Sequence, residues 1–453
     1  MPILRLPWWG KRMLPSGQMI YEFAERLFPI CRSITGEGVR ATLRLIQERL
    51  PSLRIREVPS GTQCFDWTVP REWNIRDAWV IDPDGRKVID FKASNLHVVG
   101  YSVPVDTEID LEELDQHLHS LPEQPNAIPY VTSYYTEGWG FCLTHQQRQS
   151  LKPGRYRVKI DADLQNGSLT YGECILAGET DREVLLSTYI CHPSLANNEV
   201  SGPCVTTFLA EWLMERKPRR YTYRVIFIPE TIGSITYLAR HYEAMKQRVI
   251  AGFNITCVGD DRAYSYLPSR AESTLADRVA LHVLQHLHPG FQRYRYLDRG
   301  GDERQYCSPG IDLPVVSVMR SKYGTYPEYH TSLDNLNLIS PEGLYGSYRV
   351  LIRCLACIES DFVPLMTVPC EPQLSKHGLY PDLSTTEGAA ALTAIMDLFA
   401  YADGQRSLLE IAEKIGQPMW DLVPLAGRLR AAGLLKDKAA EPAILGHPVS
   451  ANS

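Results

Sequence analysis

The sequence predicts an α/β fold, a mixed sheet flanked by helices, carrying a mostly β inserted domain and ending in a small helical domain. Three observations predict it. Between residues 183 and 358, aliphatic and β-branched runs at 183–190, 223–229, 249–259 and 313–319 alternate with amphipathic helical patterns. Residues 61–176 carry short alternating strand patterns instead. Beyond a Pro-containing linker, three helical patterns separated by tight turns close the chain.

Composition narrows the class. A chain of 453 residues has room for two or three domains and a substantial core. With 44% hydrophobic and 22% charged residues it is not a disordered protein, and a net charge of -6 excludes nucleic-acid binding by bulk electrostatics. The 11 cysteines are scattered. Cys354 and Cys357 come nearest to a zinc-ribbon pair, but they sit on an apolar helical pattern, where buried small side chains are the better reading. Free thiols fit a reducing compartment, and residues 1–14 lack a continuous apolar core. The expectation is a cytoplasmic protein with no membrane span.

Taken in order, residues 20–30 and 39–50 read as helices around a Gly-containing turn, and 53–59 as a short strand. In the insert, Asp84-Gly85 between apolar runs signals a hairpin. Further strands are expected at 96–103, 130–135, 155–160 and 168–172. Trp67, Trp73, Trp79, Tyr134, Tyr135, Trp139 and Phe141 either line a cleft or, the more ordinary outcome, fill a β core. The run at 183–190 reads as a buried strand that stops at His192-Pro193; a polar loop at 194–199 then leads to a helix. Helices follow at 234–245 and 274–284. Near the end, Ser407 and Glu410 form a capping box. The expected domains are 15–60 with 177–362, an insert at 61–176, a linker at 363–384 and a winged helix at 385–440.

Polar groups recur where these strands end. His192 and Asn198 follow the first, Glu230 the second, Asp260 and Asp261 the third, and His330 the last. Asp302 and Glu303 precede the last strand. Ligands in open α/β sheets gather at the carboxyl ends of strands, so these groups converge on one rim. Imidazole and carboxylate are the ligands zinc takes in hydrolytic sites, and an unligated glutamate can serve there as general base. Singly, each has a plainer reading: His192 as a hydrogen-bonded structural group, Glu230 as a helix cap, Asp260 and Asp261 as a turn.

His192, the run Asn198-Glu199-Val200-Ser201-Gly202, Glu230 and Tyr329-His330-Thr331 resemble the zinc-dependent aminopeptidases of the di-zinc exopeptidase fold. That family carries, in order, His, Asp-x-x-Ser-Gly, Glu-Glu, Asp and His. The phrases Cys31-Arg32-Ser33-Ile34-Thr35-Gly36, His192-Pro193-Ser194-Leu195-Ala196-Asn197 and the stretch from Asp302 to Gly310 resemble a bacterial branch more closely. That branch has a β insert, a C-terminal winged helix and a link to polysaccharide biosynthesis. The chain departs from the wider family at two places. Asn198 stands where the bridging aspartate is expected, and Thr231 where the second glutamate is expected if Glu230 is the first. If Glu230 is the second, it is a metal ligand and no general base is left, and the third-strand aspartate corresponds to Thr256 or to Asp260. A neutral amide bridges two dications poorly, so one zinc is expected.

The resemblance implies zinc held by His192, His330 and Asn198 or Asp260, with Glu230 as general base. Asp302, Glu303 and Tyr329 are the expected substrate contacts. The implied activity is hydrolysis of an amide or peptide bond in a small amine-bearing substrate. The alternative is a degenerate fold that binds a peptide or sugar as a scaffold; a DNA-binding regulator ranks below both. Arg428 and Arg430 lie on the candidate recognition helix, but Asp421 precedes them and Pro424 interrupts it, so a protein partner is expected there rather than nucleic acid. A homo-oligomer remains open.

Overall fold

The computed structural model describes residues 14–379 and 386–438. The expected N-terminal segment, the end of the linker and the tail after residue 438 lie outside these residues. Contacts divide the chain at Leu355 into two compact units.

The larger unit is built on an eight-stranded mixed sheet. Its strands are β1 (Arg54–Pro59), β2 (Ser168–Leu176), β3 (Glu183–Tyr189), β4 (Thr222–Ile228), β5 (Val249–Asn254), β6 (Ser265–Leu267), β7 (Gln292–Arg293) and β8 (Val315–Met319), in spatial order β1-β2-β4-β3-β5-β8-β6-β7. β3 is parallel to both β4 and β5, and every residue of it is buried. A strand covered on both faces reads as an unbroken apolar run, which is why it was the clearest strand in the sequence. Helices α1 (Gly17–Leu27), α2 (Glu37–Arg49), α3 (Ser201–Glu215), α4 (Ile232–Arg248), α5 (Leu275–Leu287) and α6 (Glu303–Tyr306) accompany the sheet, and α7 (Pro341–Ser360) runs across the division at Leu355.

One buried charge fits inside this sheet because it is fully paired. Arg224 on β4 donates to both carboxylate oxygens of Glu183, at 2.6 and 2.9 Å, and to the Tyr237 hydroxyl at 2.6 Å. The fork geometry ties the starts of β3 and β4 to α4.

The structure departs from the sequence reading in several places. Residues 168–176 were expected in the insert, but they form β2, paired to β1 and β4 in the main sheet. The insert's own four-stranded sheet joins Glu72–Ile81, Lys87–Asp90, Val105–Asp110 and Arg155–Gln165. The Asp84-Gly85 hairpin is present, with Gly85 at φ 78°. No strand forms at 96–103 or 130–135. A 3-10 turn (Asn95–His97) and isolated bridges such as Gly100 to Thr132 take their place, because these segments find no neighbouring strand long enough to pair with. The expected polar loop at 194–199 is instead a buried π-helical turn (Ala196–Val200) that runs into α3. The short strands β6 and β7 were not anticipated.

Of the insert aromatics, Trp73 and Phe141 are core, whereas Trp67 and Tyr135 are exposed and touch edge to face. The core reading holds for Trp73 and Phe141 and not for Trp67 and Tyr135.

In the second unit, Pro364–Met366 pairs antiparallel with Leu435–Asp437. The first of these lies in the segment expected to be a linker. Helices α8 (Thr386–Tyr401), α9 (Leu408–Ile415) and α10 (Met419–Ala431) precede the second strand, and Ser407 and Glu410 form the expected capping box. No helix among the described residues is long and apolar enough to cross a membrane.

α3 approaches the sheet with no space to spare. A Cβ on Gly202 would lie 2.5 Å from both the Ile255 carbonyl oxygen and Thr188 Oγ1. Gly202→Ala is therefore expected to destabilise the protein by about 1–3 kcal/mol, read as a lowered urea midpoint with an unchanged slope.

Candidate functional site

His192 sits just beyond the end of β3 and is almost fully buried. Its Nδ1 lies 2.7 Å from Glu199 Oε2, and its Nε2 lies 3.7 Å from Glu230 Oε2. Glu199 comes from the π-helical turn, so the turn that replaced the expected loop delivers the carboxylate that orients the ring. Behind it, Arg32 Nε donates to the His192 carbonyl oxygen at 2.9 Å and stands 3.6 Å from Glu199 Oε1. Arg32 Nη1 donates to the Leu27 carbonyl oxygen at 2.7 Å. Burial disfavours the imidazolium of His192, but the charge and hydrogen bond of Glu199 outweigh it, and the net effect raises its pKa.

The turn is pinned from the other side by Asp334, whose carboxylate accepts from the backbone N–H groups of Asn197 at 2.6 Å and Asn198 at 3.0 Å. Asn198 donates its amide to the Tyr189 hydroxyl at 2.8 Å, and its Oδ1 is buried without a hydrogen-bond partner among the described residues.

Asp260, an expected metal ligand, is not brought to this group. Its carboxylate accepts from Asn197 Nδ2 at 3.0 Å, the Arg262 N–H at 2.8 Å, and the Ser321 N–H and hydroxyl, each at 2.9 Å. With its lone pairs used this way, it joins the β5 loop to the turn and to the end of β8.

Glu230 lies just beyond the end of β4, and Thr231 after it holds the strained left-handed φ of 61°. The Thr231 N–H donates to Asp302 Oδ1 at 2.7 Å, as does the Ser234 hydroxyl at 2.8 Å. Asp302 Oδ2 is buried with no partner among the described residues. Burial pushes the Asp302 carboxyl above the usual carboxylate range, and the negative charge of Glu230 adds to it. Burial likewise raises Glu230, against the opposing charges of His192 and Arg304.

Glu303, expected at the substrate, is occupied elsewhere. It accepts from the N–H groups of Gly300 and Gly301, each at 2.9 Å, from Asn254 Nδ2 at 2.7 Å, and from the Tyr323 hydroxyl. Its task is to close the glycine turn onto β5.

His330 does meet His192: the ring centroids are 5.4 Å apart. It has φ 56°, and its ring stacks on Tyr329 at 3.9 Å. Burial and then the neighbouring His192 push its pKa down to about 3, so the ring is neutral at physiological pH. Its Nε2 is buried without a partner among the described residues. Tyr130, from the insert, lies 5.1 Å from the His192 ring and 5.2 Å from the His330 ring, and its hydroxyl is 2.7 Å from that of Tyr134.

Among the described residues, the donor atoms of Cys191, His192 and Glu230 form one group of metal-ligand type, all within 4.8 Å of one another. Cys191 Sγ also accepts from the Glu230 N–H at 3.2 Å. His330, against His192, has an unpartnered buried Nε2, and Asn198 Oδ1 is likewise buried without a partner among the described residues. Neutral imidazole and carboxylate are zinc donors, so the residues present fit one ion. Glu199 plays the supporting part expected behind a ligating histidine, as the carboxylate partner of its other ring nitrogen.

Arg32, Glu199, Tyr130 and Asp334 were not singled out for roles in the sequence reading. Arg32 and Glu199 lay inside the phrases that carried the resemblance. Tyr130 and Asp334 had no motif to mark them, because they reach the site only through folding.

Comparison with known proteins bears on the family and the fold. The family described as "Domain of unknown function (DUF4910)" matches residues 21–361, and a winged helix-turn-helix family matches residues 363–437. A Clostridium acetobutylicum protein, provisionally named a polysaccharide biosynthesis protein with an aminopeptidase-like domain, is 45% identical over 423 residues, 93% of this chain and 96% of its own. A crystal structure from the same organism, provisionally described as a peptidase, has a TM-score of 0.88 at 43% identity, covering 93% of this chain and 96% of that one. A zinc aminopeptidase from Bacillus subtilis shares the fold, with a TM-score of 0.55 at 13% identity, over 77% of this chain and 96% of its own. The aminopeptidase-like fold and the C-terminal winged helix expected from the sequence are both present.

Glu199→Gln would leave the Arg32 guanidinium buried without a countercharge. A loss of about 3–5 kcal/mol in unfolding free energy is expected, measured by urea denaturation at neutral pH.

Proposed function

The chain belongs to the family described as Domain of unknown function (DUF4910), and we propose that it is a zinc-dependent amide hydrolase of aminopeptidase type, acting on a small amine-bearing substrate. The observation that carries this reading is the neutral His330, whose Nε2 is buried without a partner among the described residues, beside the His192 ring that itself faces Glu230. A buried polar atom left unpaired is disfavoured unless something binds it.

In this reading His192 and His330 hold one zinc through their Nε2 atoms, with Asn198 Oδ1 as a neutral third donor. Zinc, when bound, supplies Lewis acidity to the site. Glu230 acts as general base and takes the proton of the attacking water; Asp302 behind it has one oxygen free for a substrate amine. Burial raises the carboxyls of both, so the pair retains a proton near neutral pH, which suits a group that must accept a proton and return it to the leaving amine. Tyr130 and Tyr134 cover the imidazole pair and favour small substrates.

The name of the C. acetobutylicum relative directs the substrate search toward amine-bearing intermediates of polysaccharide assembly. The winged helix is read as a contact for a protein partner, since Asp421 lies in the first turn of α10 and its basic residues only in the last. The second reading, a binding protein without turnover, is favoured by the neutral Asn198 and by Thr231 in place of a second glutamate.

Plasma mass spectrometry of the purified protein should find about one zinc per chain, lost in His330→Ala. Absence of zinc even after it is supplied would leave the binding reading. Glu230→Gln should keep the metal and lower amide hydrolysis by about 100-fold or more. Because Glu230 works as the carboxylate and its pKa is raised, kcat/KM should fall as pH drops through neutrality, and that acidic limb should disappear in Glu230→Gln.

A further inference from the structure

The segment from Asp302 to Tyr306 contributes a charge that the proposed chemistry does not use. Arg304, on α6, is exposed. Its Nε donates to the Gly301 carbonyl oxygen at 3.3 Å, and its Nη2 donates to Thr231 Oγ1 at 3.1 Å. These two bonds hold the guanidinium beside the residue that follows Glu230. A guanidinium has five N–H donors in a planar fork, so three remain, including both on Nη1. Arg304 forms no ion pair with a carboxylate among the described residues. Its positive charge nevertheless reaches Glu230 and Tyr329, opposing the upward shift of each.

The site is therefore polarised. Its floor holds two carboxyl groups, Glu230 and Asp302, the latter with a buried oxygen to spare. Next to it, Arg304, exposed and anchored to Thr231, adds one cation with three N–H groups to spare. A ligand matched to both carries an amine at one end and an anion at the other.

We infer that the substrate bears a free carboxylate as well as its amine, and that Arg304 receives this carboxylate on the open edge of its guanidinium. The inference rests on the hydrolase reading for the amine end, and it narrows the substrate class to short peptide-like acids with a free C-terminus. Arg304 is a specificity-determining residue here, and its planar fork matches a carboxylate better than a lysine ammonium would.

The test is isothermal titration of the full-length chain with alanyl-alanine and with its C-terminal amide, two ligands that differ only in the anionic group. The acid should bind about tenfold more tightly than the amide, the ratio expected for one charge-assisted contact. The ratio should fall to about one in Arg304→Gln and be partly kept in Arg304→Lys, with melting temperatures unchanged because the side chain is exposed. Equal affinity of acid and amide for the wild-type protein would overturn the inference, as would a preference that survives Arg304→Gln. Selective binding of the acid without cleavage would sink the hydrolase reading and keep the inference. Cleavage of both peptides with equal affinity would do the reverse, and failure of both to bind would remove both.

Discussion

The arrangement depends most on a buried chain of charges, in which Arg32 faces Glu199, Glu199 holds His192, and His192 faces Glu230. None of these links stands alone energetically. A guanidinium in the interior needs a countercharge, and a carboxylate there needs donors. Glu199 supplies the countercharge while its Oε2 fixes one ring nitrogen of His192; its Oε1 makes no hydrogen bond among the described residues. The other ring nitrogen is thereby directed toward Glu230. Remote parts of the chain are joined in this way, since Arg32 lies before the first strand and Glu230 after the fourth.

A second group of bonds holds the ground on which that chain stands. Asp334 pins the backbone of the turn that carries Asn198 and Glu199, and Asp260 ties the same turn to two strand ends. Carboxylates expected at the chemistry are thus divided by their surroundings. Asp260 and Glu303 have their lone pairs taken by backbone and amide donors and serve as struts. Asp302 and Glu230 keep less complete shells and raised proton affinity, which is the condition for acid–base work. Residue type alone does not distinguish a strut from an acid; the count of donors around it does.

The insert takes part in the site rather than standing apart from it. Tyr130 packs against both imidazoles, and its backbone N–H donates to the His330 carbonyl oxygen at 2.8 Å. His330 has a positive φ, uncommon for a residue other than glycine, and this bond holds its carbonyl in place. The segment around Tyr130 resembled a strand in sequence because its residues are β-formers. In the fold it forms only isolated bridges, Pro129 to Thr331 and Thr132 to Gly100.

Much of this protein was legible in its residues. Buried parallel strands announce themselves as apolar runs because both faces are covered, and helix starts do so through side chains that cap them, as with Ser407 and Glu410. His192 and Glu230 stand just past strand ends, which is local information, whereas His330 lies well beyond β8 and meets His192 only through the fold. Tertiary structure alone decided which carboxylates were free, because that depends on donors brought from strands and loops far away in sequence. It also moved residues 168–176 into the main sheet and turned the polar loop after His192 into a buried helical turn. Strand pairing and burial are properties of neighbours in space, and no local pattern records them.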